Sequence, residues 1–77
     1  MIKITDITPL LRAGYVACDW NGTWCWYARK PRMLKTSRSW VNVSGTQYEY
    51  PYLYCFKDIA PADDWTQSLI KVGGNDD

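Results

Sequence analysis

Histidine does not occur anywhere in this 77-residue chain. Its absence removes the usual general base near neutral pH, the commonest metal ligand and the ordinary hydrolytic triads. No Gly-rich phosphate cradle is present either, because Gly73-Gly74 follows the last extended stretch with no helix behind it. No apolar run approaches the ~20 residues of a membrane-spanning helix. The opening MIKITDITPL is too polar for a secretory signal. The three cysteines show no CxxC spacing, so zinc would need Cys18, Cys25 and Cys55 to converge, with a carboxylate or water as fourth ligand. Buried apolar thiols are the commoner outcome. A reduced chain in the cytoplasm is expected. Asp63 and Asp64 are adjacent, so their side chains diverge and read as helix-start carboxylates rather than an acid/base pair. The chain reads as a non-enzyme with no metal and no cofactor.

What is present is aromatic. Five Trp, six Tyr and one Phe crowd a single small domain spanning residues 1–77, with 73–77 read as a flexible tail. A chain of this length buries only about 60% of its unfolded surface. Each large ring removes ~150–250 Å² from water. That count exceeds what so thin a core can seal on both sides, so some rings are expected to stay exposed. Net charge is +1, which gives no global steering field. Locally the picture differs: Arg29, Lys30, Arg32, Lys35 and Arg38 place five of the nine basic residues within ten positions, with no acid among them.

The organising stretch is Tyr15 to Pro31. Asn21-Gly22 is a strong hairpin signal, because both residues tolerate the positive φ of a two-residue type I′ turn. That turn predicts the pairs Trp20 with Thr23, Asp19 with Trp24, Cys18 with Cys25, Ala17 with Trp26 and Val16 with Tyr27. Val16, Cys18, Trp20, Thr23, Cys25 and Tyr27 then share one face; Tyr15, Ala17, Asp19, Trp24, Trp26 and Ala28 share the other. Both faces are apolar, so the hairpin must be sandwiched or keep one face for a partner. Facing cysteines make a Cys18–Cys25 disulfide geometrically conceivable, against the compartment argument.

Elsewhere the signals are shorter. Ile2 to Ile7 alternates at its start like a strand, and Thr8-Pro9 reads as a cap followed by Pro at the first helical position, with Gly14 ending that turn. Lys30-Pro31 closes the second strand. Arg32 to Ser39 has no clear period and reads as a basic loop. Ser39 to Val43 alternates like a short strand, and Ser44-Gly45-Thr46 like a turn. Pro51 splits the Tyr-rich stretch, leaving a strand from Tyr52 to Asp58 with Leu53 and Cys55 on one side and Tyr52, Tyr54 and Phe56 on the other. Ala60 to Trp65 resembles the first turn of a helix, and Leu69 to Val72 an extended segment returning to an earlier strand. The fold class is therefore mainly β, a small α+β domain. Its antiparallel sheet of three to five strands is built on a central β-hairpin and carries one or two short helical turns.

Two segments carry a resemblance: W-N-G-x-W-x-W-Y-x-x-K-P at Trp20 to Pro31, and D-W-T-Q-S-L-I-K-V at Asp64 to Val72. Together they resemble small uncharacterised proteins encoded by phages and prophages of gut bacteria. The resemblance covers about half the chain and rests on structural residues, so it transfers no functional residue. It implies a setting, the cytoplasm of an infected bacterial host, where such products commonly bind a host protein. Inhibitors of host defence such as anti-CRISPR proteins are a prominent group.

Three function classes follow. The first is a non-enzymatic protein-binding module that occludes a host protein through Arg29, Lys30, Arg32, Lys35 and Arg38 with Trp24 and Trp40, and through a second patch of Tyr48, Tyr50 and Tyr52. The second is a single-stranded nucleic-acid binder, in which the same loop meets phosphates and the neighbouring rings stack on bases. The third is a self-associating structural protein. The chain is expected to work as a monomer or homodimer, off the membrane.

Overall fold

The structure, a computed structural model, describes residues 1–41 and 54–73. Among the described residues a four-stranded antiparallel sheet runs in the order β5-β2-β1-β6. Its strands are β1 (Gly14–Cys18), β2 (Trp24–Tyr27), β5 (Tyr54–Phe56) and β6 (Ile70–Val72). A second, two-stranded sheet pairs β3 (Arg32–Leu34) with β4 (Ser39–Val41). The Tyr15–Pro31 hairpin is thus the centre of the larger sheet, and the mainly β fold class is as the sequence predicts.

The register of that hairpin is not. Cys18 pairs with Trp24, Ala17 with Cys25, Val16 with Trp26 and Tyr15 with Tyr27. The turn is one residue longer than the two-residue reading. Gly22 N–H donates to Asp19 O (2.9 Å), Asp19 N–H donates to Thr23 O (2.9 Å), and Gly22 sits at φ +89°. This is a type I turn, with Asp at its first and Gly at its fourth position, closed by a left-handed glycine. Asn21 Oδ1 accepts from Thr23 N–H at 3.1 Å, which turns the asparagine to capping the loop. A one-residue change of register moves every side chain of one strand to the other face. Val16, Cys18, Trp24 and Trp26 therefore stand together, opposite Ala17, Cys25 and Tyr27. Trp20 leaves the sheet for the loop.

Each face has its own cover. Ile4, Ile59 and Val72 join the Val16–Trp26 cluster, flanked by Ile7, Leu11, Phe56, Ala62 and Ile70. The strand expected over Ile2 to Ile7 is instead one turn of helix, α1 (Ile4–Ile7), with Asp6 Oδ2 accepting from Lys3 N–H at 3.1 Å. Alternation would have split Ile4 from Ile7, whereas helical spacing puts both against the core. Ile2 keeps a parallel bridge to Ile59. The 3₁₀ turn Thr8–Leu10 follows with Pro9 early in it, as read from the sequence, but Thr8 is its first residue rather than its cap: Ile7 holds the cap position and no side chain caps the turn. Gly14 serves the sheet rather than that turn. A Cβ there would meet Tyr27 O at 2.6 Å and the Trp26 ring at 2.7 Å, so only glycine lets the indole lie across β1.

The opposite face is closed by the β3–β4 hairpin: β4 falls on the strand expected from Ser39, whereas β3 lies where the sequence predicts a loop. Met33 and Trp40 are paired, and Trp40 packs on the Ala17–Cys25–Tyr27 cluster beside Tyr15 and Leu69. The late helical signal begins at Trp65, not Ala60: Asp64 Oδ1 accepts from Thr66 N–H (3.0 Å) and caps the 3₁₀ turn Trp65–Gln67. Ser68 is the buried polar residue of this core, 5% exposed. Its Oγ accepts from Cys18 N–H (2.8 Å) and lies 2.7 Å from Trp65 O. The β1–β6 ladder covers only Gly14 to Val16, so Ser68 supplies the acceptor that β6 cannot bring to Cys18. β6 itself returns to β1 as predicted.

Cys25 and Cys55 occupy directly opposite positions on β2 and β5 and are joined by a disulfide. Cys18 is free and buried on the other face. The Cys18–Cys25 pairing, the three-thiolate arrangement and the expectation of a fully reduced chain are all corrected by this register. The predicted turn at Ser44–Thr46, the residues Tyr48, Tyr50 and Tyr52, and the tail at 74–77 lie outside the described residues.

Candidate functional site: the basic hairpin and the turn beneath it

The two hairpins meet at their tips. Trp20 N–H donates to Arg38 O (3.2 Å), and Trp40 N–H donates to Asp19 Oδ1 (2.9 Å). Tyr27 OH donates to Trp40 O (3.1 Å), and the Trp40 indole N–H donates to Trp65 O (3.1 Å). Three of these hydrogen bonds fix β4 and its turn onto the central hairpin, and the fourth ties Trp40 to the Trp65–Gln67 turn. Asp19 is half-buried, and removal from water pushes its carboxyl above the usual carboxylate range, opposed by the Trp40 N–H bond. Burial, with the Asp19 charge nearby, pushes the Tyr27 phenol well up, so it stays a donor.

This scaffold presents a cationic surface. Arg29, Lys30, Arg32, Lys35 and Arg38 are all exposed, while Pro31 between them is buried. Alternation along β3 sends Met33 inward with Trp40 and leaves Arg32 and Leu34 on the outer face with Val41 and Ser39. The turn closes with Arg38 N–H donating to Lys35 O (3.3 Å), and Arg38 takes the left-handed conformation at φ +55°. Its guanidinium lies 5.6 Å from the centroid of the Trp20 ring, within cation–π range. Trp20 is 57% exposed and Leu34 37% exposed. An exposed indole and an exposed leucine thus flank a turn that carries Lys35 and Arg38.

Of the residues proposed from sequence, the five basic ones fall on this surface. Trp24 does not. It is 3% exposed, with its indole N–H donating to Ala60 O (2.9 Å), because the register turns it into the core. Trp40 is half-buried and pinned inward by its bonds to Asp19 and Trp65. Tyr48, Tyr50 and Tyr52 lie outside the described residues. Trp20 and Leu34 were missed. A three-residue loop with Asp19 and Gly22 at the first and fourth turn positions, also readable in D-W-N-G, would have placed Trp20 at the tip.

Other chemistry is sparse. Two open clefts flank the sheet. One is of about 400 Å³ between Leu10, Leu11, Arg12, Trp26 and Phe56; the other is of about 430 Å³ around Lys3, Ile4, Trp24 and Pro61. Lys3 and Asp63, both exposed, line the second, and neither cleft brings two carboxylates together. No group of three or more Cys, Asp or Glu among the described residues is placed to hold a metal ion. Burial pushes the Cys18 thiol up, away from nucleophilic use. Among the described residues no helix is long and apolar enough to cross a membrane. No family model, curated protein or solved structure matches this chain.

Proposed function

We propose that this chain is a non-enzymatic protein-docking module that covers an acidic surface of its partner with the β3–β4 hairpin. The supporting observation is Trp20, a large indole left 57% exposed at a turn and held under Arg38. Trp and Arg dominate the energetics of protein interfaces when they meet a complementary pocket. Arg32 and Lys35 supply the charge that speeds and orients encounter with an acidic patch. The setting rests on the resemblance alone: a phage or prophage product occluding a bacterial defence protein, as anti-CRISPR proteins do.

The same indole favours a second reading, since an exposed ring beside cations can stack an unpaired base. A binding series with oligothymidylate at rising salt separates the two. Affinity falling steeply with salt and weakened by Arg32→Glu supports nucleic acid. No binding at micromolar oligonucleotide and low salt, with a bacterial protein captured by the native chain and lost with Trp20→Ala, supports docking. Capture unaffected by both Trp20→Ala and Arg32→Glu overturns the docking surface.

A further inference from the structure

Among the described residues the disulfide joins an inner strand to an edge strand, and the two cysteines are unequally exposed. Cys25 on β2 is 5% exposed, whereas Cys55 on β5 is an exposed residue. Cys18 cannot exchange with them: it is 1% exposed and lies in the cluster on the opposite face of the sheet. The bond spans a sequence separation of 30. Arg29, Lys30, Arg32, Lys35 and Arg38 all lie between its ends. Its hold on β5 matters because that strand pairs with β2 through three residue pairs and has no second neighbour in the sheet among the described residues. β1, by contrast, is paired on both sides.

We propose that Cys25–Cys55 is a redox clasp on the loop that carries the basic hairpin. Oxidised, the bond holds β5 to the sheet edge and fixes both ends of that loop. Reduced by a cellular dithiol of the thioredoxin type, it lets β5 separate while β2, β1 and β6 stay paired. A thiolate of the reductant attacks the exposed Cys55 sulfur, the S–S bond breaks, and Cys25 leaves as a thiolate that takes up a proton. The reductant's second thiol gives up its proton, attacks the mixed disulfide and expels Cys55, which is protonated in turn. Two electrons and two protons pass to the protein, and the reductant ends as a disulfide.

The clasp stands independently of any partner, and its test reads no binding. The native chain is equilibrated in oxidised or reduced dithiothreitol, then probed by brief trypsin digestion and by iodoacetamide labelling with mass detection. Oxidised, it should show one free thiol, Cys18, which labels only after denaturation. Reduced, it should be cut after Lys57, directly beside β5, about fivefold faster or more, as expected when local opening controls cleavage. Cys55 and Cys25 should label while Cys18 remains protected. A smaller change in cleavage, three thiols free under oxidising conditions, or Cys18 labelling together with the others overturns the clasp, the last because it signals global unfolding. Cys55→Ser should mimic the reduced chain without reductant. If that variant fails to fold, Cys18 labelling reveals it and the reduced native chain decides.

Discussion

The two faces of the central sheet are closed by different means. On one, Val16, Cys18, Trp24 and Trp26 meet isoleucines and valine, and both indole N–H groups donate to backbone carbonyls, Ala60 O and Arg12 O. On the other, the buried set among the described residues is Ala17, Cys25 and Tyr27, and the cover is fastened by hydrogen bonds through Asp19, Tyr27 and Trp40. The first face supplies stability by area. The second supplies position, holding a charged hairpin at a fixed angle over an exposed indole. In so small a chain one sheet serves both needs by dividing them between its sides.

Substitutions should separate those roles. Trp26→Ala should be the most damaging, destabilising by about 3–5 kcal/mol in urea titration because it leaves a cavity above Gly14. A loss below about 1 kcal/mol would mean the aromatic face is not the main core. Ser68→Ala should come next, at about 1–3 kcal/mol, since Cys18 N–H would be left buried without an acceptor. A smaller effect would show that the end of β1 opens to water.

Asp19→Asn tests the fastened face. The carboxyl is held above its ordinary 3.8, so the native state binds that proton more tightly than the unfolded chain. The contribution of Asp19 therefore favours folding most below its unfolded value and declines as pH rises through the folded one. Asparagine keeps an acceptor for Trp40 N–H without that decline. Its unfolding free energy in urea titration should gain on the parent as pH rises above the ordinary 3.8 of Asp19, by a fraction of a kcal/mol, because the group is partly solvated. A parallel pH profile for the two chains would contradict the assignment. Trp20→Ala should be the mildest, within about 0.5 kcal/mol in stability, while removing capture of the partner. If it destabilises like Trp26→Ala, the exposed ring is structural and the contrast between faces fails.

The sequence carried the architecture further than the site. Hairpin, returning β6, the Thr8–Leu10 turn and sheet class were readable because Asn-Gly, Thr-Pro and strand alternation act locally, whereas the turn at Ile4–Ile7 was masked by its own alternation. The register was not, because D-W-N-G permits both a two-residue and a three-residue loop, and the choice is made by packing. Two indoles can share a face with Val16 and Cys18 only in the longer one. That single residue also decided which cysteines meet and which tryptophan stays wet. β3 was hidden for a related reason: a three-residue strand with Met33 as its single inward apolar residue shows no period of its own and forms against a surface built elsewhere in the chain, whereas Ser39-Trp40-Val41 carried the alternation of β4.

The backbone of Arg38 has a last implication. At φ +55° a glycine would rest without penalty, whereas a residue with a side chain gives up about 1–2 kcal/mol there. An arginine in that place spends conformational ease to hold a positive group at one defined spot above an aromatic plane. Replacing it with glycine would relax the bend and leave Lys35 as the charge on that turn, with no cation over the Trp20 ring.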